Sequence, residues 1–308
     1  MNQSPTLLVL LGPTGVGKTE ISLRLAQHFK SPIISADSRQ IYKELKIGTA
    51  SPSEEQLSTI KHYFIASHTI FENYSAGQFE QEVLLLLNEL FQTHQIVLMV
   101  GGSMLYIDAV CKGLDNIPSI DAEIRNFWQN KFKDQGLEYL QQELKKLDPV
   151  YYQQVDLHNY KRILHALEIC SITGKPFSEL RTGKAQKRPF HILKIGLTRP
   201  RAELYERINE RVDQMIKNGL LEEAMQYYPY RNLNPLNTVG YKEIYDYLDG
   251  KYNLEKAIEK IKQNTRHYAK RQLTWFKHDE DIQWFHPEEE EKIIDYVTKN
   301  LPLNDCLS

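Results

Sequence analysis

A glycine-rich segment near the start of the chain has the residue types and the spacing of a phosphate-binding loop. Residues 12–19 read GPTGVGKT, which fits the pattern G-x4-G-K-[ST]. The glycines allow backbone N–H groups to converge on a diphosphate, Lys18 adds a positive charge, and Thr19 supplies a hydroxyl that can ligate Mg²⁺. We therefore predict a diphosphate site, with Mg²⁺ on Thr19. It is formed by Gly12, Pro13, Thr14, Gly15, Val16, Gly17, Lys18 and Thr19.

The chain lacks the residues with which such loops usually hydrolyse or transfer a terminal phosphate. Nucleotide-hydrolysing enzymes place an aspartate at the end of a hydrophobic strand to hold Mg²⁺, whereas the apolar run 96–100 ends in Gly101, Gly102 and Ser103. No guanine-reading NKxD motif occurs either. These absences favour a diphosphate that is held as a leaving group over a γ-phosphate that is handed on.

Three charged side chains outside this loop are candidates for chemistry. Asp37 follows a short apolar run directly, where a carboxylate can ligate Mg²⁺, accept a proton as a general base, or cap a helix. Its position alone does not decide between the cap and the chemistry. Arg207 and Arg211 lie one turn apart on a predicted helix and could reach a phosphate, although solvated surface arginines are the alternative.

Short apolar runs alternate with helical patterns in the first hundred residues. Residues 6–11, 33–35 and 96–100 read as strands, and the spacing of Ile21, Leu25 and Phe29 predicts a helix after the glycine loop. Continuous apolar strands that alternate with helices indicate a parallel sheet covered on both faces. The predicted fold class is therefore α/β, a P-loop NTPase-like parallel sheet flanked by helices. The glycine loop, Asp37 and Gly101–Ser103 should meet at the carboxyl edge of that sheet.

The strand pattern is interrupted in the middle of the chain and then returns. Residues 121–133, 137–147 and 159–173 have helical patterns, with Asn159 as a cap and Gly174 as a stop. A strand reappears at residues 191–197. We predict a discontinuous catalytic core formed by residues 1–113 and 191–308, which carries the C-terminal helices, and an all-helical insertion domain at residues 114–190.

The composition is that of a folded protein in a reducing compartment. Of 308 residues, 41% are hydrophobic and 25% are charged, which excludes a disordered chain, a collagen-like repeat and a coiled-coil rod. Three widely spaced cysteines form no CxxC pair, and no apolar run approaches the roughly 18 residues of a membrane-spanning helix. We therefore expect a cytoplasmic protein without a membrane partner.

The net charge of −2 conceals segregated blocks of charge. Residues 181–201 contain seven Lys or Arg and no acid. Arg266, His267, Lys270 and Arg271 precede Trp275, a mixture that suits contact with an RNA backbone and its bases. These blocks indicate a basic face for a polyanion, with solvated helix faces as the alternative.

Taken together, the motifs resemble those of the bacterial tRNA dimethylallyltransferases, also called tRNA isopentenyltransferases. The matching stretches run in family order through almost the whole chain. They are GPTGVGKT (12–19), ISADSRQIYKELKIGTASP (34–52), VGGSMLYIDAV (100–110), KRILHALE (161–168), RINERVDQMIKNGLLEE (207–223), VGYKE (239–243) and AKRQLTWF (269–276).

The resemblance implies an activity and a set of residue roles. The family transfers a dimethylallyl group from dimethylallyl diphosphate to N6 of the adenosine 3′-adjacent to the anticodon, in tRNAs that read codons starting with U. The implied catalytic residues are Asp37 as general base, Ser103, Lys18 and Arg211, with residues 14–19 holding the diphosphate in a loop also described as ATP-binding. The implied tRNA-contact residues are Asp37, Ser38, Arg39, Gln40, Ser103, Arg125, Lys161, Arg162, Ile163, Leu164, His165, Asn237, Thr238, Val239, Gly240, Tyr241 and Lys242.

The resemblance also implies partners, and it shows some departures. The expected partners are the anticodon stem-loop of tRNA and dimethylallyl diphosphate, the expected cofactor is Mg²⁺, and the expected state is a monomer. Ser103 stands where most members have Thr, Ser51 replaces a usual Lys, and Lys242 replaces a usual Arg, which removes the two-pronged contact of a guanidinium. We expect no zinc finger like that of eukaryotic members, because the three cysteines form no CxxC pair.

Two other classes of function could use the same glycine loop. A P-loop kinase of a nucleoside or small metabolite would explain residues 12–19 but none of the later motifs. A nucleotide-switched RNA-binding protein would respond to ATP and not to dimethylallyl diphosphate. A prenyl chain-elongation enzyme is disfavoured because the chain has no DDxxD motif.

Overall fold

The computed structural model describes residues 4–115, 117–118 and 120–302. Its strands are β1 (Thr6–Leu11), β2 (Ile33–Ala36), β3 (His62–Tyr63), β4 (Ile96–Gly101), β5 (His191–Leu197) and β6 (Ile282–Phe285). Its helices are α1 (Lys18–His28), α2 (Glu54–Thr59), α3 (Ala76–Leu90), α4 (Met104–Lys112), α5 (Ala122–Leu147), α6 (Pro149–Gln154), α7 (Tyr160–Thr173), α8 (Phe177–Leu180), α9 (Arg201–Lys217), α10 (Leu220–Tyr227), α11 (Tyr241–Leu248), α12 (Leu254–Phe276) and α13 (Glu290–Asn300).

The strands form one parallel sheet in the order β3-β2-β4-β1-β5-β6. Strand β1 is central and fully buried, with Leu8 opposite Leu98 on β4 and opposite Leu193 on β5. The predicted α/β class and its parallel sheet are confirmed. Strands β3 and β6 were not predicted, because β3 has only two residues and β6 reads IQWF with only Ile282 buried.

Both faces of the sheet are covered, as the continuous apolar strands require. Leu7 and Val9 of β1 pack with residues of α3 and α4 on one face. Leu8 and Leu10 pack with residues of α1, α9 and α13 on the other. A further cluster joins Ile41 and its neighbours to buried residues of α9–α12. These helices are thereby fixed against the segment that follows β2.

The chain divides into two compact units, Met1–Cys111 with Arg188–Ser308, and Lys112–Lys187. The second unit thus begins at Lys112 rather than at the predicted 114, and ends at Lys187 rather than at 190. Arg188 belongs to the first unit because its guanidinium donates to the Val110 carbonyl at 2.8 Å and pairs with the buried carboxylate of Glu80 at 2.6 Å.

The second unit is built from α5–α8 around a core of its own. The helix boundaries predicted for α7 are confirmed: the Asn159 side chain accepts the Arg162 N–H, and Gly174 ends the helix with a φ of 65°. Gly136 interrupts α5 with a φ of 76°, where two helices had been predicted. No helix of the described chain has the length and apolarity needed to cross a membrane. Of the three cysteines, Cys306 lies outside the described residues.

Candidate active site

The glycine loop joins the end of β1 to the start of α1, and its glycines are required by geometry. Gly15 has a φ of 82°, and a Cβ there would lie 2.8 Å from Ile208 Cγ1 of α9. Gly17 precedes α1 with a φ of 107°. Thr14, Gly15 and Gly17 of the loop line one cavity together with Lys18 and Thr19 at the start of α1. The positive end of a helix beside a glycine loop is an arrangement that binds a phosphate.

Lys18 lies against this loop. Its Nζ donates to the carbonyl oxygens of Gly12 and Pro13, each at 2.9 Å. Burial and, to a smaller extent, the positive charge of Arg211 lower the pKa of Lys18 from 10.5 to about 7, with Asp37 partly opposing the shift. An anion bound beside Lys18 would restore its charge, so the amine is suited to a ligand that brings several negative charges.

Asp37 follows β2 directly and uses one oxygen to close a turn. Its Oδ1 accepts the N–H groups of Arg39 at 2.8 Å and Gln40 at 3.2 Å. No donor among the described residues hydrogen-bonds to the other oxygen, Oδ2. Residues 38–41 form a turn and no helix begins at Asp37, so the helix cap is not found. The turn fixes the side chain and leaves an oxygen that can accept a proton.

Ser103 ties the segment after β4 to the segment after β2. Its Oγ accepts the Ser38 N–H at 2.8 Å and contacts Ser38 Oγ at 3.2 Å. The two segments touch because Gly101 has no side chain, and a Cβ there would overlap the Ala36 carbonyl. Ser103 is buried, and its Oγ is bonded to the turn that begins at Asp37.

Two arginines of α9 approach the glycine loop and its surroundings. Arg211 is half-buried and donates to the Thr49 carbonyl at 3.3 Å. Burial lowers its pKa, and Asp37 opposes that shift. Arg207 is exposed and donates to the Gly15 carbonyl at 3.1 Å. Both arginines line the same cavity as Lys18, so neither is simply a solvated surface residue.

These elements enclose a cavity of about 850 Å³ within the first unit. The predicted convergence of the glycine loop, Asp37 and the segment after β4 is confirmed. The predicted site residues that line the cavity are Thr14, Gly15, Gly17, Lys18, Thr19, Asp37, Ser38, Arg39, Gln40, Arg211, Thr238, Val239 and Gly240. Ser103 lies behind this wall.

The remaining predicted tRNA-contact residues lie elsewhere. Tyr241 is fully buried and Lys242 is exposed, both at the start of α11, and Asn237 is exposed just before it. Arg125 and residues 161–165 belong to the second unit.

Within the second unit the predicted tRNA-contact residues differ in accessibility. Lys161 and Arg162 are exposed in the first turn of α7, whereas Ile163 and Leu164 are buried in the core of that unit. Arg125 Nε lies 3.7 Å from Glu168 Oε1, and burial together with Arg125 lowers the pKa of His165. Ile163 and Leu164 therefore contribute to the position of the helix rather than to a side-chain contact.

The residues around the cavity can be tested for their fit to a metal. Within residues 4–115, 117–118 and 120–302, no three His, Cys, Asp or Glu side chains are grouped to hold a metal ion. Mg²⁺ does not need such a cage, because it keeps several waters and binds through substrate phosphates. Thr19 is an exposed residue at the cavity wall, and its hydroxyl group suits that mode.

Two residues to which the sequence analysis gave no role hold loops of the cavity wall by hydrogen bonds. Glu223 of α10 accepts the N–H groups of Lys46, Ile47 and Gly48 and the Tyr241 hydroxyl, at 2.6–3.0 Å. Gln272 of α12 bonds to the glycine loop and to Gly102. Glu223 and Gln272 both lie in stretches that resemble the motifs of the tRNA dimethylallyltransferases. Tyr268 also lines the cavity and lies four residues before Gln272, so the two share one face of α12, which is the one local signal for Gln272.

Comparison with known proteins gives a consistent result. The model of the IPP transferase family matches residues 40–279. The chain is 60% identical to tRNA dimethylallyltransferase 1 of Bacteroides fragilis, over 96% of this chain and 98% of that protein. It is 54% identical to tRNA dimethylallyltransferase 2 of Parabacteroides distasonis, over 96% and 99%.

Solved structures agree with the sequence comparisons. The full-length tRNA isopentenylpyrophosphate transferase from Bacillus halodurans is similar with a TM-score of 0.70 and 35% identity, over 96% of both chains. A eukaryotic dimethylallyltransferase, described in crystallographic snapshots as acting on tRNA, is similar with a TM-score of 0.78 and 26% identity. That match covers 96% of this chain and 80% of the eukaryotic one.

Proposed function

This chain belongs to the IPP transferase family, and we propose that it transfers a dimethylallyl group from dimethylallyl diphosphate to N6 of an adenosine in tRNA. It is a tRNA-modifying prenyltransferase. The proposed target is the adenosine 3′-adjacent to the anticodon, in tRNAs that read codons starting with U. The enzyme is proposed to act as a cytoplasmic monomer that grips the anticodon stem-loop.

One observation supports the proposal most strongly: a phosphate loop and a carboxylate with an open oxygen face the same cavity. Arg211, the start of α1 and Lys18 in its protonated form offer positive charge where a diphosphate would depart. Asp37 Oδ2 offers a proton acceptor within the same space. A transfer reaction needs both groups at once, because charge leaves at one end of the allyl group while a proton leaves the amine at the other.

The chemistry places a separate demand on each side of the cavity. The exocyclic amine of adenine is a weak nucleophile and becomes positively charged as it bonds to the allylic carbon. Proton removal by Asp37 should contribute about 10²–10⁴ in rate. The adenine must leave the anticodon stack to reach Asp37, at a cost of a few kcal/mol. Exposed basic residues such as Lys161 and Arg162 would offset that cost by holding the phosphate backbone.

Mg²⁺ is proposed as the cofactor. Thr19 and the diphosphate oxygens would hold it, and it would neutralise part of the charge that the leaving diphosphate gathers. The contribution of the chain itself rests on Lys18, Arg211 and the loop N–H groups.

A phosphoryl-transfer enzyme is disfavoured by the same site. The strand that would supply a Mg²⁺-binding carboxylate, β4, is followed by Gly102 and Ser103 instead. Ser103 is engaged with Ser38, and Gly102 is in contact with Gln272.

The test is an assay with purified protein and two anticodon stem-loops that differ only at the target position, adenosine in one and guanosine in the other. We expect N6-dimethylallyladenosine in the first, detected by mass spectrometry of digested nucleosides, and no product in the second. The same nucleoside should disappear from the tRNA of cells that lack this protein. Phosphorylated product with ATP, and none with dimethylallyl diphosphate, would contradict the proposal.

A further inference from the structure

Gln272 is a buried amide on α12 that bonds to two loops of the proposed site, the glycine loop and the segment after β4. Its side chain is 2% exposed. Its Oε1 accepts the Thr14 N–H of the glycine loop at 2.9 Å, and its Nε2 donates to the Gly102 carbonyl at 2.8 Å. We propose that Gln272 is a positioning residue that sets the separation between the leaving diphosphate and the proton acceptor. The inference rests on the proposed function.

The contact continues from Gly102 to Asp37 through a short and specific path. Ser103 follows Gly102 in the chain, and its Oγ accepts the Ser38 N–H at 2.8 Å. Ser38 follows Asp37, whose Oδ1 closes the same turn. Thr14 is thus joined to the turn of Asp37 by hydrogen bonds and single peptide steps alone. A displacement of the glycine loop is transmitted to the carboxylate.

Close packing around Gly102 prevents the glycine loop, the segment after β4 and Gln272 from moving independently. A Cβ at Gly102 would overlap Gln272 Nε2 and would lie 3.2 Å from the Gly12 carbonyl oxygen. Gly102 therefore allows the amide to enter between the two loops, and the three segments are in direct contact. The amide is also matched to its partners, since it offers one acceptor to an N–H and one donor to a carbonyl.

The reaction is sensitive to this separation. The allylic carbon must lie between the diphosphate and the amine, and a misplacement of about 1 Å can cost on the order of 100-fold in rate. Gln272 lines the cavity, but this scheme gives its side chain no part in binding the transferred group or in moving the proton. Its effect should consequently appear in the chemical step, and less in the affinity for either substrate.

The first arm of the test does not depend on transfer activity. Hydrogen exchange is measured by mass spectrometry with and without inorganic pyrophosphate, in the wild type, in Gln272→Met and in Gln263→Met. Gln263 is exposed on the same helix, so its replacement is the matched control. In the wild type and the control, pyrophosphate should protect residues 36–40 and 101–104 as well as the glycine loop. In Gln272→Met, protection should be confined to the glycine loop.

The second arm measures single-turnover transfer with both substrates saturating. Gln272→Met should lose on the order of 100-fold in rate, with small changes in the dissociation constants of dimethylallyl diphosphate and tRNA. Gln272→Glu keeps the acceptor for Thr14 but loses the donor for Gly102, so it serves as a second variant if the first is unstable. Ser103→Ala should cost much less in the Gln272→Met background than in the wild type, because residues that act as a unit are not additive.

The outcomes distinguish a failure of the positioning role of Gln272 from a failure of the proposed function. Equal protection of residues 36–40 in wild type and Gln272→Met, or absence of that protection in the wild type, would overturn the positioning role. Strictly additive rate losses would do the same. A wild type that makes no prenylated nucleoside would instead overturn the proposed function, and the exchange experiment would still decide the role of Gln272.

Discussion

Because of Lys18, the affinity for dimethylallyl diphosphate should depend on pH, and this can be measured without any tRNA. Burial and the charge of Arg211 lower the pKa of its amine to about 7, with Asp37 opposing. A diphosphate binds most strongly to the charged amine, so the ligand selects the protonated fraction of the enzyme. That fraction falls as the pH rises through 7, whereas phosphate groups with a last pKa near 6 remain fully ionised. Affinity should therefore decrease as the pH rises.

The size of the decrease follows from the protonated fraction. With a pKa of about 7, about half of the ligand-free molecules carry a charged Lys18 at pH 7, about one in eleven at pH 8, and about one in a hundred at pH 9. The apparent dissociation constant is the intrinsic constant divided by the competent fraction. It should rise about fivefold from pH 7 to 8 and about tenfold from pH 8 to 9.

The assay is titration calorimetry of dimethylallyl diphosphate between pH 6.5 and 9, in two buffers with different ionisation enthalpies. The pair of buffers reports proton uptake, which should approach one per bound ligand at pH 8. Lys18→Ala is the control, because it should bind weakly at every pH and show neither the slope above pH 7 nor the proton uptake. A wild-type affinity that stays constant from pH 7 to 9 would refute the reasoning, as would the same slope in Lys18→Ala.

Three further predictions concern the carboxylates and a glycine of the site. Asp37→Asn keeps an oxygen for the turn but removes the proton acceptor, so single-turnover transfer should fall about 10²–10⁴-fold, far more than the tRNA affinity measured by filter binding. Normal turnover would exclude the base role. Glu223→Gln turns an NH₂ toward backbone donors, and chemical denaturation should show a loss of about 2–4 kcal/mol, whereas the neighbouring Glu222→Gln should be neutral. Gly48→Ala places a Cβ 2.6 Å from the Tyr241 ring, which should cost about 1–3 kcal/mol by overpacking; an unchanged melting temperature would show that the ring can move aside.

The sheet could be predicted from the sequence wherever its strands are continuous and apolar. The runs that became β1, β2, β4 and β5 are fully buried or nearly so, and burial on both faces imposes that composition. Strand β6 carries Gln283 on an exposed position at the sheet edge, so its pattern is not distinguishable from a loop. The caps of α7 were predictable because Asn159 and Gly174 act on their own helix ends.

The site residues that directly follow a predicted strand could be predicted together with the sheet. The residues that reach the site from distant helices could not, because such contacts leave no periodic pattern in the sequence. The glycine loop and Asp37 follow β1 and β2 directly, so the topology of a parallel sheet brings them together. Gln272 lies 258 residues from Thr14, and nothing in the spacing of α12 indicates that partner. Glu223 lies 175–177 residues from the N–H groups that it accepts.

The glycines at these distant contacts share a physical role. A Cβ at Gly48 would strike the Tyr241 ring, and a Cβ at Gly102 would overlap the Gln272 amide. In each case the absent side chain lets a polar group from a distant helix reach a loop at the cavity wall. Such a glycine need not have an unusual backbone angle, and neither of these two has a positive φ. Gly102 and Gly48 are therefore required because Gln272 and Tyr241 occupy the space where a side chain would lie. Replacing Gln272 or Tyr241 should relax the requirement for glycine at the corresponding position.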